Sequence, residues 1–87
     1  MKLINSIDEI TEQDVINKEK LITPKSQRWF EIKKGKEGYT VYGMICGSTP
    51  NFVSRNNEVI FYKTLNNVKR GLKRFVINGY WGFGNRF

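Results

Sequence analysis

The chain has 87 residues, with one cysteine, no histidine and 15 basic against 8 acidic side chains, which gives a net charge of +7. A chain of this length buries a limited core, so we expect residues 1–87 to form a single small domain. One cysteine excludes an internal disulfide, and no apolar run approaches the ~20 residues that a membrane-spanning helix requires. We expect no signal peptide and no membrane association, and these features predict a cytoplasmic protein.

The residue types argue against an enzyme. Most nucleophilic and metal-dependent mechanisms need histidine, a reactive cysteine or clustered carboxylates, whereas this chain lacks histidine and has scattered acids. Cys46 lies in the apolar run V-Y-G-M-I-C-G, where we expect a small buried hydrophobic residue. We therefore predict a non-enzymatic protein without metal or cofactor. One catalytic route stays open, a small ribonuclease that stabilises phosphate charge with Lys, Arg and Tyr alone.

Residues 5–20 predict an acidic N-terminal helix, or two short helices in succession. The tetrapeptides S-I-D-E from Ser6 and T-E-Q-D from Thr11 both have the spacing of a capping box. Acidic residues come early in the segment and lysines late, which matches the helix dipole. The segment ends ahead of Pro24, because the residue before a proline avoids helical backbone angles.

Residues 28–46 predict a β-hairpin. In its first half, R-W-F-E-I-K-K, the apolar residues Phe30 and Ile32 alternate with residues for the other face. The turn G-K-E-G carries two glycines, which can adopt positive φ angles. Residues 47–57 then lose the alternating pattern and predict a long loop, with a turn at Asn56-Asn57.

Residues 58–76 predict a strand followed by a basic helix. The strand reads E-V-I-F-Y-K-T and is rich in β-branched and aromatic residues, and Thr64 suits the N-cap of the helix. Apolar residues recur at helical spacing and predict one buried face, made of Leu65, Val68, Leu72, Phe75 and Val76. Four basic residues fall on the opposite arc: Lys69, Arg70, Lys73 and Arg74.

The order helix, strand, strand, strand, helix predicts an α+β fold. We expect a three-stranded antiparallel sheet with both helices packed on one face, because each helix has one apolar stripe to bury. Residues 77–87 form a tail rich in glycine and aromatic residues. This tail could add a further strand that packs its aromatics on the sheet, or it could expose them to a partner.

Residues 30–76 resemble the YegP-like family of small bacterial proteins. The segment Phe30-Glu31-Ile32 with Lys34, Gly38 and Tyr39 is similar to that family's opening strand and turn, Asn57-x-Val59-Ile60 to its second turn, and Val68, Leu72 and Phe75 to its helix. The chain departs from the family in the inserted loop 47–56 and in the short spacing between Ile60 and Tyr62. The family brings little information about function.

The element order also resembles that of double-stranded RNA-binding domains and of the related HicA-like toxins. In the RNA-binding domains, the loop between the first two strands and the start of the second helix approach the RNA backbone. The corresponding positions here hold Lys33, Lys34 and Lys36, and then Lys63, Lys69 and Arg70. The first helical turn, L-N-N, lacks the lysines that the family carries there. The HicA-like resemblance implies a catalytic histidine, which this chain lacks, so toxin activity is disfavoured.

The uneven distribution of charge favours a polyanionic partner. Residues 1–20 carry a net charge of −2, residues 21–58 carry +3, and residues 59–87 carry +6 with no acid. Basic side chains neutralise phosphates and release counterions, so we predict binding of nucleic acid, RNA in preference to DNA. The predicted phosphate contacts are Lys33, Lys34, Lys36, Lys63, Lys69, Arg70, Lys73 and Arg74. The predicted stacking or partner contacts are Trp29, Phe52, Arg55, Tyr80, Trp81 and Arg86.

An alternative hypothesis is a non-enzymatic inhibitor that binds a host protein. A compact basic domain without catalytic groups is typical of the accessory products that phages and mobile elements direct against host machinery. Its basic face could cover an acidic surface on a defence nuclease or toxin, alone or together with RNA. The loop 47–57 would suit such a contact through Phe52 and Arg55, since aromatic and arginine side chains are favoured anchors. Homodimerisation through the tail is also compatible with the sequence.

Overall fold

The computed structural model describes residues 1–45 and 49–79 and has an α+β fold. Its main sheet has five strands in the order β1 (Lys2–Leu3), β2 (Leu21–Ile22), β3 (Phe30–Gly35), β4 (Gly38–Gly43) and β5 (Asn51–Phe52). A separate two-stranded sheet pairs β6 (Ser54–Arg55) with β7 (Glu58–Val59). The helices are a 3-10 helix (Ile7–Glu9), α1 (Glu12–Ile16) and α2 (Leu65–Asn78).

The predicted hairpin is confirmed, and it forms the centre of the sheet. Strands β3 and β4 are antiparallel, and their register places Phe30 opposite Gly43 and Ile32 opposite Val41. The tight turn needs glycine at Gly38, whose φ is +123°, since a Cβ there would overlap the Tyr62 carbonyl oxygen. Alternation along the two strands gives the hairpin one apolar face, which is buried, and one face of mixed character.

The N-terminal segment 5–20 is divided between two short helices and does not form one long helix. Both predicted N-caps are present, but only Thr11 forms the predicted capping box, with Asp14. Ser6 accepts from the Asp8 N–H, and the Glu9 carboxylate accepts from the Asn5 N–H and not from that of Ser6. The second cap lies so close behind the first that the 3-10 helix must end at Glu9, and Ile10, which follows it, has extended backbone angles. Helix α1 ends at Ile16, so residues 17–20 of the predicted helix lie outside it.

The prediction of three strands is wrong, because short strands extend the sheet on both sides. Strands β1 and β2 pair in parallel at one edge and β5 adds to β4 at the other, each with only two residues. Two residues are too few to show an alternating pattern in the sequence. The predicted third strand is also shorter than expected: Glu58–Val59 pairs with β6 in the separate sheet, and only Tyr62 bridges to β4, opposite Tyr39.

The β6–β7 pair occupies part of the predicted loop 47–57. Its turn is at Asn56-Asn57, as the sequence predicts, and the two asparagines have φ angles of 55° and 68°. Asparagine tolerates this left-handed region better than other non-glycine residues, so two in succession make a tight hairpin turn.

Helix α2 packs its apolar face on the sheet, and this prediction is confirmed. Val68, Leu72, Phe75 and Val76 are buried, and the Phe75 ring lies edge-on to Phe30 with centroids 5.7 Å apart. Thr64 is the N-cap and accepts from the Asn67 N–H. Helix α1 lies on the same side of the sheet, since the Tyr39 hydroxyl donates to the Glu12 carboxylate at 2.8 Å.

Some predictions fall on residues outside those described. The tail with Tyr80, Trp81 and Arg86, and the environment of Cys46, belong to this group. In the part of the chain that is described, no helix is long and apolar enough to cross a membrane.

The close contact between Tyr62 and Gly71 of α2 affects the stability of the fold. The Tyr62 hydroxyl is buried without a hydrogen-bond partner among the described residues, and burial raises the pKa of this phenol. It lies against α2, where a Cβ at Gly71 would come within 2.7 Å of the hydroxyl oxygen. We expect Gly71→Ala to destabilise the fold by about 1 kcal/mol, because overpacking outweighs the gain in helix propensity.

The matched variant Tyr62→Phe should raise the free energy of unfolding by about 1 kcal/mol, because it removes an unpaired buried hydroxyl. In the Tyr62→Phe background, Gly71→Ala should cost less than in the wild type. Chemical denaturation of the four proteins measures the coupling between the two sites. Equal costs in both backgrounds would show that the hydroxyl does not limit the packing of α2.

Asp14 generates a prediction about pH. Burial alone would raise the pKa of this carboxyl, but hydrogen bonds from Lys2 and Thr11 outweigh burial and lower the pKa below 3.8. The folded state therefore binds a proton less readily than the unfolded state. The contribution to stability is present above about pH 4 and is lost as the pH falls through the lowered pKa.

We expect Asp14→Asn to reduce the free energy of unfolding by about 1 kcal/mol at pH 7, because it removes the charge that pairs with Lys2 at 2.9 Å. The difference between variant and wild type should shrink between pH 5 and pH 2. Urea denaturation across this range is the measurement. A difference that stays constant down to pH 2 would contradict the assignment.

Candidate nucleic-acid interface

The basic residues of α2 form one continuous exposed surface. Arg70, Lys73 and Arg74 are exposed and Lys69 is partly exposed, on the arc opposite the buried face. We call these four residues the basic ridge. Among residues 1–45 and 49–79, none of them forms an ion pair with an acid. Arg70 donates to the side-chain oxygen of Asn67 one turn earlier, which holds its guanidinium along the helix surface.

Folding brings one acid, Asp8, to a flank of the basic ridge. Asp8 of the 3-10 helix and Lys73 line the same shallow depression, together with Ile77. The sequence after Glu58 contains no acid, but the N-terminal helices pack beside α2 and supply one. The positive surface is therefore narrower than the acid-free sequence after Glu58 would predict. Arg70 and Arg74 lie farther around the helix from Asp8 than Lys73 does.

A second group of predicted phosphate contacts meets at the start of α2. Lys34 from the end of β3 and Lys63, which precedes the N-cap, line a depression together with Tyr39 and Glu12. The Lys34 Nζ lies 5.3 Å from the centre of the Tyr39 ring, a cation–π contact. These two lysines extend the positive surface from the basic ridge toward the hairpin turn, although the Glu12 carboxylate offsets part of their charge.

The structure does not bring the three hairpin lysines together. Because neighbouring residues of a strand point to opposite faces, Lys33 lies on the other side of the sheet from Lys34. Lys33 pairs with Glu31 at 3.7 Å and lies 5.2 Å from the centre of the Tyr42 ring. Lys36 is exposed in the turn. Thus, of the three hairpin lysines, Lys34 is the one that shares a depression with residues at the start of α2.

The face of the sheet opposite the helices carries a row of aromatic rings. Tyr42 of β4 lies between Trp29 and Phe52, with ring centroids 6.1 Å and 4.9 Å apart respectively. The Lys20 Nζ lies 4.7 Å from the centre of the Trp29 ring. We call Trp29, Tyr42 and Phe52 the aromatic row. The sequence identifies Trp29 and Phe52 as separate candidates, and the structure joins them through Tyr42.

Tyr42 was not among the candidates that the sequence suggests. Its signal was present in the alternation of the second hairpin strand, where Tyr39 and Val41 share one face and Tyr42 takes the other. The contact with Phe52 requires the pairing of β4 with β5, which the sequence does not reveal. Arg55 lies opposite Glu58 in the β6–β7 pair, and so its charge has an acid as neighbour.

The described residues contain no group of three or more His, Cys, Asp or Glu side chains placed to hold a metal ion. Comparisons of the chain with protein-family models, with curated proteins and with solved structures give no match. The resemblances to the YegP-like family and to double-stranded RNA-binding domains therefore stay predictions. Among the described residues, the basic ridge and the aromatic row are the two candidate surfaces for function.

Proposed function

We propose that the protein binds nucleic acid, RNA in preference to DNA, through phosphates that contact the basic ridge. One observation carries this proposal: the four cations of α2 are neighbours of one another and not of acids on their own helix. Lys69 and Lys73 are four residues apart, as are Arg70 and Arg74. Like charges at this spacing destabilise a helix by about 0.2–0.5 kcal/mol per pair. Neutralisation by an anionic ligand would relieve that repulsion.

The chemistry of the basic ridge suits phosphates. Two of its four members are arginines, whose planar guanidinium groups donate two parallel hydrogen bonds to one phosphate. From Lys69 to Arg74 the helix rises about 7 Å, so the ridge can contact successive phosphates of one strand. Lys63 and Lys34 continue the positive surface beyond the N-terminus of α2. Release of counterions from the nucleic acid would supply most of the affinity.

RNA is the proposed partner because the chain combines basic and aromatic surface. Proteins recognise RNA largely through backbone contacts and through unpaired bases that stack on aromatic side chains. A protein that only neutralised duplex phosphates would need no exposed rings. The inhibitor hypothesis shares the positive surface but requires an acidic protein as the ligand, and the experiment below separates the two.

Binding should weaken steeply with salt. For about four phosphate contacts, affinity for single-stranded RNA should fall roughly 50-fold when the salt concentration rises from 50 to 200 mM. Fluorescence anisotropy with labelled single-stranded RNA, duplex RNA and duplex DNA measures this dependence. Tighter binding to RNA than to DNA at both salt concentrations is the expected result.

Charge reversal should locate the contact. The double variant Lys69→Glu with Arg70→Glu should bind single-stranded RNA at least about tenfold more weakly and should lower the salt slope by about 1.4, because two phosphate contacts are lost. The matched control is Lys18→Glu with Lys25→Glu, which changes the net charge equally at two exposed lysines that are not members of the basic ridge. Circular dichroism checks that both variants fold.

Two outcomes would overturn the proposal. Equal loss of affinity in both double variants would show that net charge, and not the basic ridge, determines binding. An absence of binding to every nucleic acid at 50 mM salt would exclude the function altogether. In the second case an acidic protein becomes the partner to search for, as the inhibitor hypothesis requires.

A further inference from the structure

We propose that the aromatic row is a second contact surface, on which unpaired bases of a single-stranded nucleic acid stack. This inference rests on the proposed function and deepens it, since it names the class of nucleic acid. The row lies on the sheet face that α1 and α2 leave uncovered, whereas the basic ridge lies on the outer side of α2. The two surfaces are thus on opposite sides of the molecule, and they can be altered independently.

The geometry of the rings fits planar ligands. The three rings come from the residue before β3, from β4 and from β5, with centroids 6.1 Å and 4.9 Å apart. They are tilted to one another by 55° and 60°, so their faces do not stack on each other. Trp29 and Tyr42 are partly buried, and Phe52 is exposed. Phe52 is 37% exposed, whereas phenylalanine is usually buried in a protein core.

The charges around the aromatic row favour a nucleic acid over an apolar ligand. Lys20 and Lys33 each place an ammonium group over a ring, at 4.7 Å from Trp29 and 5.2 Å from Tyr42. The acid that β3 contributes to this face, Glu31, is buried and is paired with Lys33. A ligand therefore meets rings and ammonium groups, and the carboxylate is largely covered. An apolar peptide or a lipid tail has no anionic group that could pair with the two lysines.

The rings and the lysines of this surface can contact the same strand of nucleic acid. A long lysine side chain moves readily, so each ammonium can leave its ring to contact a phosphate while a base takes its place on the ring. Stacking on an aromatic ring tolerates any base, because every base has a flat π surface. The aromatic row therefore predicts a preference for unpaired over duplex nucleic acid, with little dependence on sequence. Duplex nucleic acid would reach the lysines but could not place its bases on the rings.

The test uses three probes: a labelled 12-nucleotide oligouridine, a 12-base-pair RNA duplex and inorganic polyphosphate, which has charge but no bases. The variant Tyr42→Leu with Phe52→Leu keeps apolar volume and removes two rings. Its control, Tyr42→Phe with Phe52→Tyr, keeps both rings. We expect the leucine variant to bind oligouridine at least about tenfold more weakly than the control and to bind polyphosphate as the wild type does.

Trp29 gives a second readout. The chain has two tryptophans, so Trp81→Phe leaves Trp29 as the only one. In this background oligouridine should quench the tryptophan fluorescence with a saturating curve, and the RNA duplex should quench it less. Thermal unfolding of each variant shows whether the sheet is intact. If the leucine variant fails to fold, the quenching experiment still tests the inference, because the Trp81→Phe protein keeps all three rings of the aromatic row.

The outcomes separate this inference from the proposed function. Oligouridine binding that is lost in the basic-ridge variant and unchanged in the leucine variant, with no quenching of Trp29, would overturn the aromatic row alone. Failure of all three probes to bind would overturn both. Dimerisation of the wild type that the leucine substitutions abolish, measured by analytical ultracentrifugation, would assign the row to contact between two copies and would also overturn the inference.

Discussion

The contact between Phe30 of β3 and Phe75 of α2 is the interaction on which the rest of the structure depends. Both side chains are fully buried, and their edge-on contact joins the central strand of the sheet to the long helix. It fixes which face of the hairpin is covered. Strand alternation then determines every other placement, since Ile32 and Val41 follow Phe30 into the core while Glu31 and Tyr42 take the opposite face.

This division explains how a small chain can present two different surfaces. Helix α2 is stabilised by the burial of one apolar face, so its outer arc does not need ion pairs to stay folded. The basic ridge can therefore tolerate like-charge neighbours that would weaken an isolated helix. On the opposite face of the sheet, strand alternation places Tyr42 and Lys33 away from the core. Trp29 and Phe52 contact Tyr42 from its two sides. Rings and lysines pack on one another on this face, which neither α1 nor α2 covers.

The short elements at the edges of the fold adjust these surfaces. Strands β1 and β2 bring the N-terminal helices beside α2, and an ion pair between Lys2 and Asp14 ties β1 to α1. As a result, Asp8 and Glu12 lie at the borders of the positive surface. On the other side, β5 brings Phe52 against Tyr42 and completes the aromatic row. Two-residue strands with little stability of their own thus decide the shape and charge of both candidate surfaces.

The sequence by itself determined the elements with a strong local signal. The hairpin, the Asn56-Asn57 turn, the caps at Ser6, Thr11 and Thr64, and the buried face of α2 all follow from periodicity or side-chain chemistry within a few residues. The basic ridge follows too, since four cations opposite an apolar stripe need only helical geometry to become neighbours. These predictions depend on contacts that are near in the chain.

Only the tertiary structure decided what depends on contacts that are distant in the chain. The strands added at the two edges of the sheet pair through two residues each, which leave no pattern in the sequence. Three features depend on which face of the sheet the helices cover. They are the separation of Lys33 from Lys34, the position of Asp8 beside the basic ridge, and the contacts among Trp29, Tyr42 and Phe52. The choice of face is made by packing of side chains from different elements, and the energy of such packing is not encoded in any single segment.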